Sequence, residues 1–169
     1  MKKRTNKLIR SLSEIFEGEP WYGQSVMRKL ENVPHKIGYK TCIPESHTVA
    51  EIVGHLIAWK TFAIEKLQSN WSYRIDIDSQ RDWPVVEVNS AEEWEALKAK
   101  LVAAQGRIYE LLSEQPDDSF LDERVQGKGY NFEYLIRGII QHDIYHLGQI
   151  GLIESQLKRK EQDSGVFKA

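Results

Sequence analysis

The chain has 169 residues, 41% of them hydrophobic and 28% charged, which is enough to bury a real core and is expected to form a single domain over residues 1–169. A net charge of -2 provides no field for nucleic acid or an anionic membrane surface, so neither is expected as a partner. One cysteine, Cys42, excludes an internal disulfide; with no unbroken apolar block for a signal peptide or a membrane span, the expected location is the cytoplasm.

Taken in order, apolar residues at helical spacing first appear as Leu8, Ile9, Leu12, Ile15 and Phe16, and a first helical block is expected from about Asn6 to Val33. Gly18, Pro20 and Gly23 must break or kink it, after which WYGQSVMRKLENV resumes an amphipathic pattern through Val26, Leu30 and Val33. The link PHKIGYKTCIPES carries two prolines and reads as loop. A second block opens on Thr48 and Glu51, a capping box that satisfies free amides at a helix start. Its apolar stripe is Ile52, Val53, Leu56, Trp59, Phe62, Ala63 and Leu67, and His55 falls inside it.

The segment WSYRIDIDSQRDWPVVEVN then reads as a long loop, with a short alternation at Tyr73, Ile75 and Ile77 that suits extended chain and with Pro84 to stop a helix. A loop of that length is expected to cover something. Ser90 and Glu93 form a second capping box, and a third block runs through Trp94, Leu97, Leu101, Val102, Ile108, Leu111 and Leu112 to Gln115-Pro116. DDSFLDERVQGKGY is a polar loop. A fourth block spans Asn131 to Leu157, with Lys158, Arg159 and Lys160 complementing its dipole and QDSGVFKA expected as a frayed tail. Four helices with few strand signals predict an all-α fold, an antiparallel four-helix bundle with a long loop between helices 2 and 3.

The fourth block is the most apolar, with Leu135, Ile136, Ile139, Ile140, Ile144, Leu147, Ile150 and Ile153 at three- and four-residue steps. Stepping from Leu135 through Ile139 lands on His142 and His146, so two imidazoles stand where leucine is usual. Four residues apart means about 6 Å of rise and roughly 40° of rotation, which lets both rings turn toward one point. Gly138, Gly148 and Gly151 each cost a helix interior about 1 kcal/mol against alanine, which is reasonable if neighbouring backbones approach closely and bring a third ligand. His55 is the third candidate. A lone histidine on an apolar face is more often a hydrogen-bonded core residue, and HxxxH occurs by chance in helical proteins. Three buried imidazoles weigh differently, because each has a ring nitrogen needing a partner and one cation supplies all three. Imidazole suits zinc, nickel, copper or iron, and three protein ligands leave a position open for chemistry.

Residues around this cluster divide between site and scaffold readings. Asp143 either orients a ligand imidazole or is a surface carboxylate, and Tyr145 and Gln149 either meet substrate or pack. Trp21, Tyr22, Trp59 and Trp83 either line an apolar pocket or sit in the core. Arg74 and Arg81 are candidates for meeting an anionic thiol cofactor, although exposed arginines usually do not. Cys42 has no base beside it and reads as incidental; His35 and His47 read as surface residues, with His47 a candidate for the pocket mouth.

HDIYHLGQI from His142 to Ile150, AEIVGHLIAW from Ala50 to Trp59 and PWYGQSV from Pro20 to Val26 resemble the DinB-like superfamily, which includes the YfiT-type proteins. The likeness covers nearly the whole chain and does not extend to DNA polymerases. It implies a four-helix bundle in which one histidine of the second helix joins an HxxxH pair on the last to bind a divalent metal; matched here, these are His55, His142 and His146. It also implies a homodimer, a small-molecule substrate and, in members with activity, S-transfer from a low-molecular-weight thiol such as bacillithiol or mycothiol. The expected function is therefore a metal-dependent thiol S-transferase of the bacillithiol type, with zinc or nickel as cofactor and a low-molecular-weight thiol beside it. The alternatives are a hydrolase using metal-bound water and a noncatalytic stress-related binding protein. No protein side chain is assigned as catalytic.

Overall fold

A computed structural model describes residues 1–41 and 46–163 of the chain, the last three by backbone alone. Cys42 and most of the expected tail lie outside the described residues. Among the described residues six helices run in the order α1 Lys3–Phe16, α2 Val26–Glu31, α3 His35–Gly38, α4 Val49–Leu67, α5 Ala91–Glu114 and α6 Phe132–Asp163, with a 3-10 turn at Ser119–Asp122 before the last. The described residues form an all-helical fold with no strand; the Tyr73–Ile77 alternation stays irregular, and one isolated bridge joins Arg124 to Asn131. Part of the reason lies in Lys66, whose buried ammonium takes the carbonyls of Asn70, Trp71 and Tyr73 and so occupies acceptors a ladder would use.

The first expected block is two helices separated by nine residues of turn, because the chain leaves helical geometry after Phe16 as Gly18 and Pro20 require. The link read as loop contains α3, a single turn that starts after Pro34 and buries Ile37 and Gly38 against the Trp94 ring. Thr48 and Glu51 form the capping box, the Thr48 hydroxyl accepting from the Glu51 amide at 3.1 Å and the Glu51 carboxylate from the Thr48 amide at 2.7 Å. The second box is half formed. Ser90 accepts from the Glu93 amide, while the Glu93 carboxylate turns to the Asn89 amide instead.

The start of α1 is capped from a distance, since Lys2 supplies no side-chain cap. The Asp118 carboxylate accepts from the amides of Arg4 and Thr5, both at 2.9 Å, and from the Thr5 hydroxyl at 2.7 Å. Lost hydration raises the Asp118 carboxyl, but these bonds outweigh it and hold its pKa at about 2.

Helix α4 packs against both α5 and α6, and α1 packs against those same two helices. The core has two parts. One gathers Phe16, Leu30, Val53, Leu56, Leu101, Leu147 and Ile150; the other gathers Leu8, Leu12, Phe62, Ile108, Leu112, Ile136 and Ile139. Each such side chain contributes about 1.5–3 kcal/mol on burial, so an interruption between the two parts costs stability unless its groups are matched. Where the two parts meet, α4 and α6 also bury polar side chains, His55 and Lys60 on the first and Asp143 and His146 on the second.

Glycine placement differs from expectation. A Cβ at Gly138 or Gly148 would meet nothing within 4 Å, and at Gly151 only the tip of Lys29, so no backbone approaches there. The close approach is at Gly54, where a Cβ would collide with the Val86 side chain and sit 3.4 Å from Pro84, so the segment 68–90 lies directly on α4 beside His55. Among the described residues no helix is long and apolar enough to cross a membrane.

Candidate metal centre

His55 comes from the middle of α4, and His142 and His146 from successive turns of α6. The His142 Nε2 lies 3.0 Å from the Nε2 of His55 and 3.0 Å from that of His146, and all three ring nitrogens fall within 4.8 Å of one another. His55 and His146 are buried and His142 is half-buried. The helical arithmetic of the HxxxH pair therefore holds, and the third ring arrives from the facing helix.

What surrounds the rings fixes their hydrogens. His55 Nδ1 lies 2.7 Å from the Asp82 carbonyl oxygen and 3.1 Å from its carboxylate, and His146 Nδ1 lies 2.7 Å from Gln149 Oε1. These partners only accept, so both rings carry the proton on Nδ1 and turn a bare lone pair inward from Nε2. His142 Nε2, standing between them, has one hydrogen at most and cannot satisfy both. The donor set is thus short of a positive partner at its centre, the condition a cation meets, and neutral imidazoles suit a divalent transition metal.

Electrostatics favour the neutral rings. Burial pushes His142 down to about 3, with the neighbouring His146, His55 and Lys60 adding to the shift. Burial lowers His146 to about 4 against the opposing hydrogen bond that it donates to Gln149, and lowers His55 against the pull of Asp82. All three shifts favour the neutral imidazole near pH 7.

Asp82 ties the covering segment to this centre. Its carboxylate accepts from Trp59 Nε1 at 2.9 Å and from the Asp78 amide at 2.9 Å, while its own amide donates to the Ser79 carbonyl. The next residue, Trp83, is sandwiched, its ring 3.5 Å from His47 on one face and 3.9 Å from His55 on the other. On the α6 side the Gln149 amide group donates to the Tyr145 hydroxyl, which leaves Gln149 Oε1 aimed at His146.

One side of the cluster opens on a cavity of about 470 Å³ whose walls include Trp59, Trp83, Tyr130, Leu135 and Ile139. His47 is at its mouth, as its position in the sequence suggests, and Tyr145 and Gln149 also line it. Trp21 and Tyr22 do not; they line a separate groove beside α1 and α6, with Trp21 99% exposed. Arg74 and Arg81 are also elsewhere, Arg81 bonding the Arg74 carbonyl and covering the Tyr73 ring. His35 is half-buried in α3.

Asp143 takes neither expected role. It is buried and grips Lys60 Nζ with both oxygens at 2.9 and 2.7 Å, and Lys60 also donates to Gln105 at 2.7 Å. Lys60 was detectable in the sequence, because the steps Leu56, Lys60, Ala63 and Leu67 put it on the buried stripe, as Ile139, Asp143 and Leu147 do for its partner. Asp82 gave no local signal.

No match is found among curated proteins. The profile of the DinB superfamily matches residues 4–150, a span that contains all three histidines, Asp82 and the helices carrying the site. The chain belongs to the DinB superfamily.

Proposed function

We propose that the chain is a metal-dependent enzyme, a thiol S-transferase of the bacillithiol type, with His55, His142 and His146 as the ligands of a divalent zinc or nickel ion. The observation that carries this is the meeting of three Nε2 atoms whose lone pairs lack hydrogens to share, open on one side to a cavity. A divalent cation supplies Lewis acidity there, lowering the pKa of a thiol or water at its open position. The chain's own residues do the rest. Asp82 and Gln149 hold two imidazoles in the binding tautomer, and Trp59, Leu135 and Ile139 keep water from the open side.

Thiol transfer is favoured over hydrolysis by the supply of proton carriers. A thiol at a divalent metal would give its proton to solvent outright, whereas metal-bound water would stay partly protonated near pH 7 and draw more help from a general base. Asp82 is the one acid among the described lining residues, and both its oxygens are engaged. The hydrolase reading rests on His47, whose half-exposed ring lines the cavity, stacked on Trp83. The test is metal content after native purification, followed by transfer assays with and without thiol. Stoichiometric metal that survives His146→Ala counts against the ligand set, and turnover without thiol that is lost in His47→Gln favours hydrolysis.

The same reading takes α1, α4, α5 and α6 as an antiparallel bundle in one cytoplasmic domain, with 68–90 as its covering loop. It includes a homodimer through the exposed stripe Ile144, Gly148 and Leu152 of α6. Leu152→Glu is expected to yield monomer by light scattering.

A further inference from the structure

The cavity beside the three histidines is uniform in one respect. Among its described lining residues there is no lysine or arginine, and the one carboxylate and the one carboxamide are already engaged: Asp82 with Trp59, Asp78 and His55, and Gln149 with His146 and Tyr145. What remains is aromatic and aliphatic surface from Trp59, Tyr130, Leu135 and Ile139. Ile77 and Tyr134, 80% and 64% exposed, carry that surface out to the mouth. A charged body entering here gives up its water and finds no countercharge on a lysine or arginine of the walls, a cation at the histidines being met by the ligand's donor atom. An uncharged body gains by burying its surface and by edge-to-face contact with the rings. A volume near 470 Å³ suits a small organic molecule.

We infer that the chamber selects a ligand whose donor atom is carried on an uncharged aromatic or alkyl body, any charged portion staying outside the mouth. The inference rests on the metal reading above and narrows it: for thiol transfer, the group attached next to the sulfur inside the chamber is apolar.

The test uses the full chain loaded with cobalt(II) and two probes of matched thiol chemistry, benzyl mercaptan and 4-(mercaptomethyl)benzoate, followed by the sulfur-to-cobalt charge-transfer absorption at one pH. Benzyl mercaptan is expected to bind at least about tenfold more tightly. Tyr134→Arg, which places a cation at the mouth, is expected to narrow that gap by improving the carboxylate probe. Equal affinities, a preference for the carboxylate, or no thiol signal on a cobalt-loaded protein overturns the inference alone. No cobalt spectrum, or one indifferent to His146→Ala, overturns the metal reading and the inference together.

Discussion

Two polar clusters interrupt the core on the same pair of helices, and they solve the problem of burial in opposite ways. In one, Lys60 Nζ spends its three hydrogens on both Asp143 oxygens and on Gln105, so opposite charges cancel and only Gln105 Nε2 lacks a partner among the described residues. In the other, one turn away, three neutral rings face each other with lone pairs and no common donor. The first balances its charges as it stands. The second lacks a shared donor at its centre, a lack that a cation would meet. Burial alone does not separate a structural polar residue from a functional one; the arithmetic of donors and acceptors does.

The sharpest way to break the comparison is to remove one partner from each cluster. Lys60→Met leaves a buried carboxylate uncompensated and is expected to cost about 3–5 kcal/mol in urea unfolding, most of it recovered by the double variant with Asp143→Leu. Next in size is Asp82→Asn, which keeps the shape but weakens the hold on His55. Metal affinity measured against a competing chelator is expected to fall about 10–100-fold. His142→Leu is expected to abolish stoichiometric metal yet leave the metal-free protein as stable or up to about 1 kcal/mol more stable, the opposite sign to Lys60→Met. A metal-free His142→Leu protein that unfolds far more easily would erase the contrast.

The smallest effect lies at a third matched cluster, on the surface. Asp118 has a folded pKa of about 2 against an ordinary 3.8, so its stabilisation of α1 is present above about pH 4 and is lost as pH falls through 2. Asp118→Asn is expected to flatten that acid limb in circular dichroism by lowering stability near pH 7, where the carboxylate's contribution is fully present, while leaving stability near pH 2 little changed.

The local parts of this picture were legible in the sequence. Thr48 with Glu51, the break at Gly18 and Pro20, the stop before Pro116 and the His142–His146 spacing are each decided within a few residues. What escaped depends on how helices are rotated against each other or on a loop returning from far along the chain. His55 and Asp82 are 27 residues apart, and their contact requires Gly54 to let Val86 down onto α4. Lys60 and Asp143 are 83 apart, and each looks like an ordinary surface charge until its stripe is traced. The glycines of α6 misled because a missing Cβ can face open space as well as a neighbour.

The sandwich of Trp83 between His47 and His55 has an optical consequence. An indole held face to face with an imidazole has its excited state coupled to the electron demand of that ring, so drawing charge out of His55 is expected to dim Trp83 emission and chelation to restore it. Trp83 is thus expected to gauge by its fluorescence whatever the histidines take up, and Trp83→Phe to weaken that response, leaving Trp59, 5.9 Å from His142, as the remaining reporter.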